Sequence, residues 1–120
     1  MKLKTKYRKM KYDKDMKYVI KKEILTQTIF EAGRYIIDND ERFKDTICHH
    51  RRELLKQVRQ EGKELFKNMD IPARVCFNRL KYNFDIGNNT LDDAKVLLVV
   101  GEYLSKAEVF GDYDILYMHI

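Results

Sequence analysis

The sequence predicts a mainly α-helical fold, a single domain of four helices that ends in a short β-strand. Three observations predict it. Apolar residues recur at intervals of three and four along most of the chain, as on one face of a helix. The last eight residues instead alternate between two faces, which is typical of a strand. With 120 residues, 44% of them hydrophobic, the chain has the size and apolar content of one domain with one core.

Residues 1–13 form a basic segment in which lysine alternates with tyrosine, threonine, leucine and methionine. We interpret it as either a disordered arm or a short edge strand, where lysines discourage unwanted pairing. Residues 14–120 are predicted to form the helical domain. Lys4, Lys6 and Arg8 in the arm are candidates for phosphate contacts, because lysine and arginine are the usual partners of nucleic-acid backbones.

The first helix is predicted over residues 14–38. Its apolar residues recur at helical spacing: Ile20, Ile24, Leu25, Ile29, Ala32 and Ile36. The run Asp38-Asn39-Asp40 is expected to end this helix and to cap the next one.

The second helix is predicted over residues 41–67. Its apolar stripe consists of Phe43, Ile47, Leu54, Val58 and Leu65. Gly62 lies inside this stretch and costs about 1 kcal/mol relative to alanine, which makes it a candidate break in the helix.

The third helix is predicted over residues 72–82, after the turn Asp70-Ile71-Pro72. Proline disfavours helical geometry at the residue before it and suits the first turn of a new helix. The composition of residues 85–89 indicates a loop.

The fourth helix is predicted to begin at Thr90, with Asp93 three residues later in a near capping box. Its residues are apolar on both sides. Either the helix is central and buried, or residues 96–100 form a strand, and we prefer the helix because of the cap and the length.

The C-terminal segment, residues 113–120, shows the strand pattern. One face carries Leu116, Met118 and Ile120, and the other carries Tyr113, Ile115, Tyr117 and His119. A lone strand is unstable, so it must pair. The candidate partners are the N-terminal segment and the same strand of a second subunit, which would make a homodimer.

Charge is distributed unevenly along the chain. The net charge is +5, but residues 1–17 carry eight basic and two acidic residues, while residues 83–120 carry two basic and seven acidic ones. A basic arm and middle could touch phosphates with the acidic third turned away. Alternatively, the basic arm folds onto the acidic tail. Tyr7 and Tyr12, interleaved with lysines, suit either single-stranded nucleic acid or a protein interface.

Several classes of protein do not fit the sequence. Cys48 and Cys76 form no CxxC motif and are too few for a secreted disulfide scaffold. The first residues lack the apolar core of a signal peptide, and the longest apolar run, residues 96–100, is too short for a membrane span. We therefore expect a soluble cytoplasmic protein without a membrane partner.

The sequence offers no convincing enzyme, metal or cofactor site. In Cys48-His49-His50, adjacent helical residues point about 100° apart, so the three cannot easily face one ion. Ser105 is the single serine and has no patterned partner, and no glycine-rich phosphate loop occurs. The pair Asp92-Asp93 is explained by the dipole of the helix that it opens. We predict no enzyme, no metal and no cofactor.

The stretch KELFKNMDIPARVCFNRL, a loop, and NNTLDDAKVLLVVGEYL, over residues 63–104, resembles the core of the lambda-repressor/Cro-like helix-turn-helix family. The resemblance implies a scaffold helix over residues 64–69, a turn at residues 70–72 and a recognition helix over residues 73–82. A helix-turn-helix-like core within the four-helix domain is the fold that it implies. The sequence departs from the pattern at Asp70, where glycine is usual, and at Phe77, which is bulky for a groove-facing residue.

The resemblance also implies a set of DNA contacts. Ala73, Arg74, Phe77, Asn78 and Lys81 would face the major groove, where arginine suits guanine and asparagine suits adenine. Phosphate contacts would come from Lys67, Asn68 and Arg79. In the alternative interpretation, the polar residues of this stretch are the solvated face of a short helix, and Phe77 belongs to the core.

Two hypotheses for the function follow. The first is a small basic DNA-binding protein, a transcriptional regulator of the phage or mobile-element type, acting as a dimer. The second is a non-enzymatic protein-interaction module, such as an inhibitor, adaptor or virion component, that uses its C-terminal strand.

Overall fold

The computed structural model describes residues 22–109, and the side chains of residues 22–106. This part of the chain is mainly helical and contains no strand. Its four α-helices are α1 (Lys22–Asn39), α2 (Cys48–Met69), α3 (Ala73–Asp85) and α4 (Leu91–Val109), and a short 3-10 turn (Glu41–Phe43) follows α1. The mainly α-helical class predicted from the sequence is confirmed.

Helix α4 is the centre of the fold and packs against each of the other three helices. Every residue from Val96 to Gly101 is buried, which explains why the sequence is apolar on both sides. The preferred helical assignment of residues 96–100 is therefore confirmed. The predicted cap is present as well, since the Asp93 amide donates to Thr90 Oγ1 at 3.1 Å.

The predicted start of the second helix at residue 41 is wrong. The 3-10 turn occupies residues 41–43, Asp45 adopts a left-handed φ of 61°, and α2 begins only at Cys48. Phe43 is buried, but Ile47 is 57% exposed, so these two residues do not share one apolar stripe. The acidic run ends α1 as expected. Asp40 caps the 3-10 turn, by accepting from the Arg42 amide at 3.0 Å, and not the second helix, whose N-cap is Ile47.

Gly62 does not break α2, which continues to Met69. The glycine instead lets α2 approach α4 closely, because a Cβ at this position would lie 2.4 Å from the carbonyl oxygen of Lys95. Gly101 has a similar role on the other side of α4, where a Cβ would lie 2.9 Å from Ile29 Cγ1 of α1. Helices α2 and α1 thus come close to α4 on two of its sides, each at a position where a glycine has no side chain.

The connection between α2 and α3 follows the predicted turn. Asp70 adopts the left-handed conformation with φ 54° and ends α2, in the position where glycine is common. Pro72 precedes α3, which runs three residues beyond its predicted end to Asp85. Because α2 is one unbroken helix of 22 residues, the short scaffold helix of the helix-turn-helix pattern is not a separate element.

Two expectations lie outside the described residues. These are the N-terminal arm or edge strand, together with the first part of the predicted first helix, and the C-terminal strand at residues 113–120 with the dimer that it would form. Within the described part of the chain, no helix is both long and apolar enough to cross a membrane.

Candidate nucleic-acid interface

Helix α3 is rotated relative to the predicted recognition helix. Ala73, Arg74 and Phe77, which were expected to face a DNA groove, are 2%, 4% and 1% exposed. The Phe77 ring lies beside Gly101 of α4, in the core. Arg74 lies three residues before Phe77 on the same face of α3 and is therefore buried with it. Groove contacts by these three residues are therefore not compatible with this packing, whereas the alternative placement of Phe77 in the core is correct.

The exposed face of α3 presents a different set of residues. Asn78 and Arg79 are exposed, and Tyr82 is 64% exposed. Lys81 is half-buried, and its Nζ bonds to Asp85 Oδ2 at 2.8 Å. Of the predicted base-reading and phosphate-binding residues of α3, Asn78 and Arg79 are thus exposed and make no ion pair within the described part of the chain. The buried face of α3 also includes Cys76 and Leu80.

A row of basic side chains follows the exposed side of α2. We call Arg52, Lys56, Lys63 and Lys67 the basic stripe. Together with Arg59, these residues recur at intervals of three and four, which confines them to roughly 80° of arc on an α-helix. All four members of the stripe are exposed. At 1.5 Å per residue, the stripe is about 22 Å long.

The stripe is poorly neutralised. Within the described part of the chain, Arg52, Lys63 and Lys67 make no ion pair, and Lys56 has a long one, with 3.6 Å between its Nζ and Glu53 Oε2. An exposed pair of that kind contributes little. The predicted phosphate-binding residue Lys67 belongs to this surface, while Lys4, Lys6 and Arg8 lie outside the described residues.

Arg59, in the middle of the stripe, is held by α4. Its guanidinium donates to both carboxylate oxygens of Glu102, at 3.0 Å from Nε and 2.9 Å from Nη2. These hydrogen bonds to Glu102 raise the pKa of Arg59. The bidentate pair fixes α2 against α4. Because Glu102 neutralises Arg59, the excess positive charge of this surface comes from the four residues of the basic stripe.

The opposite side of α2 carries a compensated charge network. Arg42 donates to Glu61 at 2.8 Å from Nη1 and to Asp40 at 2.7 Å from Nη2, and Lys95 Nζ lies 3.1 Å from Glu61 Oε1. The Arg42 hydrogen bond is the main reason that the pKa of Glu61 falls to about 2, and it also lowers the pKa of Asp40. With two acids and two bases, the network ties the 3-10 turn to α2 and α4 and presents no excess positive charge.

The Cys48-His49-His50 run is exposed at the start of α2, and the two imidazole rings pack edge to face with centroids 4.5 Å apart. Among the described residues, no three histidine, cysteine, aspartate or glutamate side chains are grouped to hold a metal ion. Cys76, by contrast, is buried, and burial raises the pKa of its thiol to about 11.

Comparisons of the chain with protein-family models, with curated proteins and with solved structures found no match. The resemblance to the helix-turn-helix family therefore stays an expectation from the sequence.

The sequence prediction did not include the basic stripe, although the spacing of its residues is present in the sequence. Reading α2 for its apolar positions placed the core correctly at Val58, yet the same spacing applied to arginine and lysine identifies the stripe. No spacing in the sequence indicates that Tyr103 and Lys106 of α4 lie next to Arg59 and Lys63, since that depends on how the two helices cross.

Proposed function

We propose that this chain is a nucleic-acid-binding protein, with DNA as its first candidate ligand, and that the basic stripe of α2 is its phosphate-binding surface. The observation that carries the proposal is the segregation of charge on α2. One side bears four exposed cations, and the other bears the neutral network around Glu61. Such a surface attracts a polyanion along its length.

The dimensions suit a phosphate backbone. A stripe of about 22 Å spans six to seven base-pair rises of roughly 3.4 Å. Binding at the four cations would release about four counterions, and the logarithm of the association constant should then fall with that of the salt concentration with a slope of about −3 to −4. Base reading, in this proposal, is assigned to the exposed Asn78 and Arg79 rather than to the buried Arg74.

The test is a fluorescence-anisotropy titration of labelled DNA, duplex and single-stranded, at several salt concentrations. Lys56→Gln and Lys63→Gln should each weaken binding of every sequence and reduce the salt slope by about one. The matched control is Lys44→Gln, which removes the same charge from an exposed lysine outside the stripe and should leave the slope unchanged. If neither form of DNA shows salt-sensitive binding at micromolar protein, the proposal is refuted.

An interaction with another protein is the second candidate, and the exposed apolar residues at the end of α3 favour it. Tyr82 and Ile86, one helical turn apart, are 64% and 57% exposed. Aromatic and aliphatic side chains in such positions are common at protein interfaces. Sedimentation velocity over a range of concentrations tests self-association here, since Ile86→Ser should dissociate any dimer formed through this patch. A wild-type protein that stays monomeric would exclude self-association by this patch.

A further inference from the structure

The first turn of α2 continues the basic stripe with a histidine. His49 precedes Arg52 by three residues, an interval that places the two side chains on the same face of the helix. At about 100° per residue, His49 and Lys67 have the same angular position on α2, inside the arc of roughly 80° that contains the stripe. His49 is exposed, as are the four members of the stripe. It therefore lies on the surface that is proposed to bind phosphates, about 4.5 Å along the helix axis from Arg52.

The neighbouring His50 is not aligned with the stripe. It is also exposed, and its ring packs edge to face against that of His49, with centroids 4.5 Å apart. Successive side chains of a helix point about 100° apart, which places His50 outside the arc of the stripe. The two imidazoles are thus in contact, but only His49 shares the face of α2 that carries the cations.

His49 is not neutralised by a carboxylate within the described part of the chain. The first turn of α2 contains no acidic residue, and Glu53, the next acid along the helix, lies 3.6 Å from Lys56 Nζ. Among the described residues, no side chain of another helix makes an ion pair or a hydrogen bond with either histidine. The charged residues nearest along the chain are Lys44, Asp45, Arg51, Arg52 and Glu53. A protonated His49 would therefore add one uncompensated positive charge to the stripe.

We propose that His49 is a proton-dependent fifth phosphate ligand of the basic stripe, so that the protein binds nucleic acid more tightly at mildly acidic than at mildly alkaline pH. Histidine is the side chain whose charge ordinarily changes between about pH 5 and 8. Protonation adds a positive charge next to the phosphate, and a bound phosphate in turn favours the protonated imidazole. This inference rests on the proposed function. It adds a regulation by pH that lysine and arginine cannot supply, because their charge does not change in this range.

The first test varies the pH and leaves the full-length protein unchanged. Fluorescence anisotropy measures the binding of a labelled oligothymidylate and of a labelled duplex at several salt concentrations, at about pH 5.5 and about pH 8. One additional phosphate contact at the lower pH should steepen the salt slope by about one, and it should tighten binding at about 0.1 M salt by roughly 5- to 10-fold. A wild-type slope and affinity that are the same at both pH values would overturn the inference.

The second test varies the protein. His49→Gln removes the titratable group and should bind at either pH with the affinity that the wild type shows at the higher pH. His49→Lys is positively charged at both and should bind at either pH with the affinity that the wild type shows at the lower pH. The matched control is His50→Gln, which makes the same substitution at an exposed residue outside the arc of the stripe and should retain the pH dependence. Circular dichroism shows whether each variant is folded, and the two variants at His49 decide the question independently.

The outcomes separate the two proposals. Salt-sensitive binding that does not depend on pH would retain the stripe and refute the role of His49. A pH dependence that persists in His49→Gln and is lost in His50→Gln would assign the effect to the other imidazole and would refute that role as well. If neither DNA binds at either pH, both the stripe and the inference that rests on it are refuted.

Discussion

Substituting Gly62 by alanine tests how closely α2 and α4 approach. The added Cβ would lie 2.4 Å from the Lys95 carbonyl oxygen, 2.9 Å from its carbonyl carbon and 3.1 Å from Val99 Cγ1, whereas ordinary contacts begin at 3.4 Å. The two helices must therefore separate by about 1 Å at this point. A gap of that size forfeits between a quarter and a half of the dispersion energy of each contact that it opens.

The expected change in stability follows from two opposing effects. Overpacking of this kind costs typically 1–3 kcal/mol and sometimes more, while alanine gains about 1 kcal/mol over glycine inside a helix. The obstacle is backbone, which cannot rotate aside as a side chain would, so we place the cost toward the upper end. Gly62→Ala should lower the free energy of unfolding by roughly 1–3 kcal/mol, and Tm by about 5–15 °C.

Gly33→Ala is the matched control, since it makes the same substitution inside α1, where a Cβ would meet nothing within 4 Å. It should raise the free energy of unfolding by about 0.5–1 kcal/mol. The assay is thermal and urea unfolding followed by circular dichroism at 222 nm. A Gly62→Ala protein as stable as Gly33→Ala would show that α2 and α4 do not meet at this glycine.

Two further predictions concern titratable groups. Glu61 has a pKa of about 2 against an ordinary 4.5 because of Arg42; its contribution to stability is present above about pH 4.5 and is lost as the pH falls toward 2. Glu61→Gln should thus be less stable than the wild type by about 1–2 kcal/mol at pH 7. Urea unfolding of both proteins at pH 7 and near pH 2 should show that this difference vanishes at the lower pH. A difference that stays constant would contradict the pairing of Glu61 with Arg42. Cys48 is exposed and Cys76 buried, with its pKa raised to about 11. Ellman's reagent at pH 8 should therefore modify one thiol of the native protein quickly and the second only on unfolding, and Cys48→Ser should abolish the fast reaction. A fast reaction that survives in Cys48→Ser would show that Cys76 is accessible.

The sequence by itself determined the local elements that depend on neighbours within one turn. Thr90 caps α4, the acidic run at residue 40 ends α1, and Pro72 precedes α3, because caps and breakers act through the nearest backbone amides. The run of apolar residues from Val96 to Val100 fitted either a buried strand or a central helix, and the Thr90 cap with the length of the segment favoured the helix. In the structure the run is buried on every side, which requires apolar residues on every side.

The tertiary structure alone decided which way each helix faces and what lies beside it. Arg74 and Phe77 lie in the core because α3 packs against α4 at Gly101, and no pattern within α3 indicates that contact. Gly62 was predicted to break α2 and is instead the point where α2 comes close to α4. Its role depends on the carbonyl group of Lys95, 33 residues later in the chain. Tyr103 and Lys106 of α4 likewise come next to Arg59 and Lys63 of α2 only where the two helices cross, and for that reason these residues had no common signal in the sequence.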